Sequence, residues 1–67
     1  MKISVILNGE SRELEDGTTL RQLVEQLSLS PEKVAIELNH RLARGDRLDQ
    51  PLKAGDAIEI VTFVGGG

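Results

Sequence analysis

Alternating apolar and polar positions at the start of the chain predict a pair of antiparallel strands. Lys2 to Leu7 is rich in β-branched residues and has an apolar residue at every second position, which is typical of a strand with one buried face. Asn8-Gly9 follows, a dipeptide favoured in two-residue turns because both central positions need positive φ. Glu10 to Glu15 returns as the second strand, and Asp16-Gly17 ends it. This stretch therefore predicts a β-hairpin.

The apolar period then lengthens to that of a helix. Apolar residues recur at i, i+3, i+4 and i+7 and form one stripe: Leu20, Leu23, Val24 and Leu27. Thr19 and Gln22 have the spacing of a capping box, in which the two side chains bond the free backbone N–H groups of the first turn. Pro31 disfavours helical angles at the residue before it, so we expect the helix to end near Ser28.

The second half of the chain returns to strand periodicity. The predicted segments are a strand at Lys33–Leu38, a turn at Asn39-His40, a short pairing segment at Arg41–Ala43, a polar loop at Arg44–Pro51 with a helical turn around Leu48, a turn at Ala54–Asp56 and a final strand at Ala57–Val64. In the third strand the residues Val34, Ile36 and Leu38 face inward.

This order of elements predicts an α+β fold of the β-grasp (ubiquitin-like) type, with a mixed four- to five-stranded sheet and one main helix packed on one face. The first and last strands are the most apolar, so we place them at the centre of the sheet. Paired there they run parallel, and the helix lies on a right-handed crossover between them. We expect one β-grasp domain over residues 1–64 and a flexible glycine tail over residues 65–67.

The final strand also predicts an exposed apolar patch. If Ile60 faces the helix, alternation turns Val61 and Phe63 to the uncovered face, where Ile6 also lies. Exposed apolar patches commonly bind partners, so we assign a partner-binding patch to Ile6, Val61, Phe63 and the adjoining Val64, although alternation alone turns Val64 toward the helix. The alternatives are a one-residue slip in register, which would reverse every face, and packing beneath the Arg44–Pro51 loop.

Size, composition and charge exclude several classes of protein. The chain has 67 residues, and a domain of this size buries only about 60% of its unfolded surface, which leaves no room for an enclosed substrate pocket. No apolar run approaches the roughly 20 residues that span a bilayer, and no signal segment precedes the first strand, so we expect a cytoplasmic protein without a membrane partner. A net charge of −3 and a single aromatic residue disfavour nucleic-acid binding.

Few side chains could carry chemistry. The chain has no cysteine, which removes disulfides, thiolate metal sites and a side-chain persulfide. His40 is the only histidine and lies in a predicted turn, so we expect no bound metal. The internal glycines form no phosphate-binding loop, and no serine has a neighbouring base, so the sequence predicts neither bound ATP nor a catalytic residue.

The candidate that is left is the C-terminal sequence Gly65-Gly66-Gly67. Glycine has no Cβ, so a glycine tail can enter a channel too narrow for other residues. A tail that projects from a rigid strand can deliver its carboxylate to a partner's active site. The alternative is an inert, frayed chain end, because glycine-rich termini are compositionally common.

Several short motifs, taken in order, resemble the ThiS family of sulfur carrier proteins of bacterial thiamine biosynthesis. They are Asn8-Gly9, Asp16-Gly17-Thr18-Thr19-Leu20, Val34-Ala35-Ile36-Glu37-Leu38-Asn39, Leu52-Lys53-Ala54-Gly55-Asp56 and Glu59-Ile60-Val61-Thr62-Phe63-Val64-Gly65-Gly66-Gly67. Each is weak alone because turn chemistry explains most of it. Their order, the short length and the glycine ending together are more specific, and the resemblance covers essentially the whole chain.

The resemblance implies a carrier that is a co-substrate of other enzymes, not an enzyme itself. An adenylating enzyme of ThiF type, using its own Mg-ATP, would activate the Gly67 carboxylate, and a persulfide sulfur donor would convert it to a thiocarboxylate. A thiazole synthase of ThiG type would then take the sulfur from the tail, which enters the partner sites through Gly65, Gly66 and Gly67. The chain would bind no cofactor and would be a monomer when free.

Three alternatives stay open at this point. The small subunit of molybdopterin synthase shares the fold, the tail and the thiocarboxylate, but such chains tend to be longer and richer in aromatic residues. Sulfur carriers of other pathways and protein modifiers of the ubiquitin type would use the same fold and the same glycine tail. A β-grasp interaction module would instead have an inert tail. The family's minimal ending is diglycine, so trimming by one residue would make Gly66 the reactive end in place of Gly67.

Overall fold

A computed structural model describes residues 1–63 of the chain. The described elements are β1 (Lys2–Leu7), β2 (Glu10–Glu15), α1 (Leu20–Gln26), a 3-10 helix (Pro31–Lys33), β3 (Val34–Leu38), β4 (Arg41–Leu42), a second 3-10 helix (Gly45–Asp49) and β5 (Ala57–Thr62). Neither α1 nor the 3-10 helices have the length and apolar character that crossing a membrane requires.

The strands form one mixed sheet in the order β2-β1-β5-β3-β4. β1 and β5 are parallel neighbours, with Ile6 beside Ala57 and Leu7 beside Ile58. The other pairings are antiparallel, including β3 with β5 over its whole length. The sheet confirms the predicted β-grasp arrangement, with the first and last strands adjacent and parallel near the centre.

The predicted capping box is present at the start of α1. The Gln22 backbone N–H donates to the Thr19 hydroxyl oxygen at 3.1 Å, and the Thr19 N–H donates to the Gln22 side-chain oxygen at 3.0 Å. The helix is short, and a helix of about two turns is not stable alone in water. Its stability comes from the apolar stripe, because Leu20, Leu23 and Val24 are fully buried.

The core lies between α1 and one face of the sheet. Its most buried side chains are Leu20, Leu23, Ile36, Ile58, Val5 and Val24. The segment after β4 closes the same side, since Leu48 and Leu52 are also buried in this core. The Leu52 N–H donates to the Thr18 carbonyl at 2.8 Å and ties the segment to the residues before α1. The Arg44–Pro51 loop therefore packs on the helix side and leaves the other sheet face open.

Several predicted boundaries differ from the structure. α1 ends at Gln26, before the predicted end near Ser28, and β4 ends at Leu42 and not at Ala43. The third strand begins at Val34 and not at Lys33, because Pro31, whose ring fixes φ near the helical value, starts a 3-10 turn that includes Lys33. β5 ends at Thr62, and Phe63 follows it outside the strand. Val64 and the tail 65–67 lie outside the described residues, and so does the predicted boundary between domain and tail.

An ion pair joins α1 to the second 3-10 helix. The Arg21 Nε donates to an Asp49 carboxylate oxygen at 2.7 Å, and Arg21 Nη2 lies 3.4 Å from the other oxygen. The hydrogen bond from Arg21, and next its positive charge, hold the pKa of the Asp49 carboxyl below its usual range.

The burial of Ile58 predicts a large loss of stability on truncation. Ile58→Ala should lower the free energy of unfolding by about 2–5 kcal/mol, because it opens a cavity in the core. Urea denaturation measures this change. Val61→Ala on the same strand is the control, and its cost should stay within about 1 kcal/mol because Val61 is exposed. Equal losses in the two variants would contradict the assignment of the two faces.

The Arg21–Asp49 pair predicts a pH-dependent contribution to stability. Because the folded-state pKa of Asp49 is lowered, its contribution is present above the pKa of free aspartate, about 3.9, and is lost as pH falls through the lower folded-state value. The gap in urea midpoint between the parent and Asp49→Asn should therefore be widest near neutral pH and close in strong acid. Asp46→Asn removes a carboxylate from the same 3-10 helix but outside the recorded ion pairs, so it is the control for a general effect of lost negative charge.

Candidate functional site: the end of β5 and the open sheet face

The predicted reactive tail starts just beyond the part of the chain that the structure describes. Gly65, Gly66, Gly67 and Val64 lie outside the described residues, so their assignment stays a prediction. The structure does describe the strand that leads to them. β5 is an inner strand of the sheet, with β1 on one side and β3 on the other.

Asn8 holds the middle of β5 at the point where β1 ends. Its backbone N–H donates to the Ile58 carbonyl at 2.8 Å, which is the last backbone bond of that ladder. Beyond this point β1 no longer pairs with β5, and the Asn8 side chain takes its place. Its Oδ1 accepts from the Ile60 N–H at 2.8 Å, and its Nδ2 lies 3.4 Å from the Ile60 carbonyl oxygen. Asn8 thus has two roles. It lies in the β1–β2 turn with φ of 49°, and its side chain bonds the backbone N–H and carbonyl of Ile60 in β5.

Beyond Ile60 the strand is supported on one side only. β3 continues to pair with β5 as far as Thr62, whose register partner is Val34. The backbone groups of Ile58 and Ile60 point toward β1 and Asn8, so alternation turns those of Thr62 to the same side, where the described residues provide no strand. The end of β5 therefore projects from the sheet as a half-paired strand.

We call the sheet face opposite α1 the open face. Ile6, Val61 and Phe63 are 40%, 57% and 72% exposed. Their placement is the one that alternation predicts, and no described segment covers them. Their role in binding a partner stays a prediction, and Val64 lies outside the described residues.

The register shows that the predicted patch is not one contiguous cluster. Ile6 lies beside Ala57, four positions before Val61, which separates the two by about 13 Å along the sheet. Glu59 occupies the position between Ala57 and Val61 on the same face. The apolar residues therefore surround an acidic position instead of adjoining one another.

The sequence analysis missed two features of the open face. Leu42 is 57% exposed and pairs with Glu37 across β3 and β4, so both side chains share the open face. Glu37 also pairs with Glu59 across β3 and β5. The two-residue turn at Asn39-His40 was the signal that could have found Leu42, because a two-residue hairpin fixes the pairing of the residues on either side. The Glu37–Glu59 pair needed the long-range register of β3 and β5.

The described residues form a cleft on the far side of the sheet from the end of β5. A shallow cleft of about 210 Å³ lies near the start of β5, at the end opposite Thr62, and is lined by Leu38, Asn39, Arg47, Gln50, Pro51, Lys53 and Asp56. Within residues 1–63, no three acidic or histidine side chains are grouped closely enough to hold a metal ion.

Sequence comparisons with a family model and with known proteins agree on one family. The model of the ThiS family matches residues 5–67. The sulfur carrier protein ThiS of Thermus thermophilus is 41% identical over 64 residues, which cover 94% of this chain and 98% of that protein. A thiazole synthase of Magnetococcus marinus is 44% identical over 66 residues, covering 97% of this chain but 20% of that protein. The chain thus spans about a fifth of the length of that relative.

Two solved structures have a fold similar to that of this chain. The thiamine biosynthesis protein ThiS of Geobacter metallireducens has a TM-score of 0.76 at 28% identity, with 97% of this chain and all of that chain covered. A complex of subunits 1 and 2 of the molybdopterin-converting factor of Helicobacter pylori has a TM-score of 0.57 at 28% identity, with both chains fully covered.

The bonds of Asn8 predict local protection of β5. Asn8→Gly keeps a residue that accepts positive φ but removes the amide, so the Ile60 N–H should exchange with solvent about fivefold faster, as expected for about 1 kcal/mol from one lost hydrogen bond. Hydrogen exchange followed by NMR measures this rate. The Ala43 N–H, which donates to the Ile36 carbonyl, is the internal control. Asn8→Asp keeps the acceptor for Ile60 and should show a smaller effect. Equal acceleration at Ile60 and Ala43 would mean that Asn8 acts only on global stability.

Proposed function

The chain belongs to the ThiS family, and we propose that it is a sulfur carrier whose C-terminal glycine becomes a thiocarboxylate that supplies sulfur for thiazole formation in thiamine biosynthesis. The observation that carries the proposal is that the family match extends through the glycine tail to Gly67. The names of the relatives, a sulfur carrier and a thiazole synthase, support the pathway.

The position of β5 supports the delivery of such a tail. β5 is held by β1 and Asn8 up to Ile60 and by β3 up to Thr62. A tail that leaves this strand starts from a fixed point and in a fixed direction. Ordering each tail residue in a partner's channel costs about 1–2 kcal/mol, and contacts made by the open face offset that cost.

The proposed chemistry loads sulfur on the terminal carboxyl group in three steps and releases it in a fourth. On an adenylating enzyme of ThiF type, a Gly67 carboxylate oxygen attacks the α-phosphorus of Mg-ATP and pyrophosphate leaves. The outer sulfur of a persulfide donor then attacks the acyl carbon and displaces AMP. A thiol must next cleave the S–S bond, which is reduced to the thiocarboxylate as the thiol is oxidised to a disulfide. A thiazole synthase of ThiG type finally takes the sulfur.

In this scheme the chain is a co-substrate and not an enzyme. Mg-ATP is bound by the adenylating partner, and this chain holds no cofactor of its own. It acts as a monomer in the cytoplasm, where ATP and the partner enzymes meet. Trimming by one residue would move the reaction to Gly66, and the mass of the loaded species distinguishes the two ends.

The second candidate is a carrier for molybdenum cofactor synthesis, which the likeness to the Helicobacter pylori complex favours. That likeness is weaker than the likeness to ThiS of Geobacter metallireducens, with a TM-score of 0.57 against 0.76. Supplying the loaded chain to a thiazole synthase and to the large subunit of molybdopterin synthase, and measuring which product forms, separates the two pathways.

Loading of the tail can be tested by intact mass spectrometry. Incubation of the chain ending at Gly67 with a ThiF-type enzyme, Mg-ATP and a persulfide donor should add the mass difference between sulfur and oxygen. Deleting Gly66 and Gly67 together should abolish the shift, because both candidate reactive ends are then removed, whereas deleting Gly67 alone shows whether Gly66 can take its place. Omitting ATP is the control for non-enzymatic sulfur transfer. A complete reaction with no mass shift would overturn the carrier function.

A further inference from the structure

The open face concentrates the exposed apolar side chains of the described residues. Apart from Met1, the exposed large apolar residues there are Ile6, Leu42, Val61 and Phe63, and strand alternation and pairing place all of them on or next to this face. Several large apolar side chains exposed on one face of a small domain indicate a binding surface. These apolar residues lie around two acidic residues, and the acidic pair indicates which charge a partner needs here.

Glu37 and Glu59 are direct neighbours on this face. They are register partners in the antiparallel pairing of β3 with β5, so their Cα atoms lie about 4.5–5.5 Å apart. Like charges directly opposite each other destabilise a sheet. The recorded ion pairs of residues 1–63 both use Arg21, so neither glutamate is neutralised by a described side chain. The free chain therefore carries an unfavourable charge pair at the centre of its open face.

Apolar residues flank this pair on three sides, and Asn8, which follows Leu7 in the β1 register, lies beside Glu59. Leu42 is opposite Glu37 on the β4 side. The next pair toward the end of β5 is Ala35 with Val61. In the other direction Ala57 has Ile6 as its neighbour. A partner that covers these apolar positions would remove water from the two carboxylates, so it must supply positive charge to them.

We propose that the open face docks a partner protein that places a basic side chain, best an arginine, between Glu37 and Glu59, with apolar contacts at Leu42 and Val61. This inference rests on the proposed function, since the partner is an enzyme that receives the tail. A guanidinium offers five donors in a rigid fork and matches two carboxylates better than an ammonium group does. A charged pair enclosed by apolar contacts has the arrangement of an interface hot spot.

The same charges disfavour other occupants of the open face. A second copy docked face to face would bring together two Glu37–Glu59 pairs, and the four like charges would repel each other. Two carboxylates without a third ligand make a poor metal site, and the described residues offer no such group. A basic protein surface is the occupant that satisfies both the charge and the apolar surround.

The test is the binding of Glu37→Gln/Glu59→Gln to a ThiF-type adenylating enzyme and to a ThiG-type thiazole synthase, by calorimetry at low and high salt. The double variant should bind at least one of them about tenfold more weakly than the parent at low salt, with a flatter dependence on salt. Glu25→Gln/Asp46→Asn is the matched control. It removes the same charge from exposed positions of α1 and the second 3-10 helix, on the opposite side of the domain, and should bind within about twofold of the parent.

Measurements of stability and of sulfur loading distinguish a failure of the docking proposal from a failure of the fold or of the proposed function. The urea midpoint of the double variant should equal or exceed that of the parent, because a repulsive pair is removed. Should the double variant fail to fold, Glu37→Gln alone serves in its place. Unchanged affinity for both enzymes, or equal weakening by the control variant, would overturn the proposal. If the parent is loaded with sulfur but the double variant binds both enzymes as tightly as the parent, only the docking proposal is wrong. If the parent is never loaded, the proposed function is wrong as well.

Discussion

The parallel pairing of β1 with β5 is the contact on which the rest of the structure depends. It joins the first strand to the last, although almost the whole chain lies between them. Closing so long a loop costs entropy before any contact is gained, and burial of Val5 and Ile58 beneath α1 compensates for it. Once the pairing forms, β2 and β3 take the remaining flanks of β1 and β5. The chain's last residues then start from an inner strand.

Asn8 links this pairing to the end of the chain. A turn residue with positive φ needs only to tolerate that conformation, and glycine or aspartate would serve. The amide adds an acceptor and a donor that meet the backbone of Ile60, where β1 has already ended. The β1 side of Ile60 is thus held by a side chain from a hairpin at the opposite end of the sequence, while β3 pairs with β5 as far as Thr62.

The division of the sheet into two faces follows from having only one α-helix. α1 and the segment containing Leu48 cover one face, and the core fills the space between. The other face is left with apolar side chains and a repulsive glutamate pair, neither of which stabilises the free domain. A chain with so small a core carries such residues at a cost in stability, and the proposed docking of a partner would give them a function.

Local patterns determined most of the fold. The hairpin at Asn8-Gly9, the capping box of Thr19 and Gln22 and the alternation in β3 and β5 rest on turn chemistry and residue spacing, which act between near neighbours. The ends of the elements were predicted less accurately. α1, β4 and β5 end earlier than predicted, and β3 begins later because Pro31 starts a 3-10 turn. The glycine ending and the family resemblance also came from the sequence. Only the tertiary structure paired Glu37 with Glu59, separated Ile6 from Val61 and brought Asn8 to Ile60, because each of these depends on the register between strands that are distant in sequence.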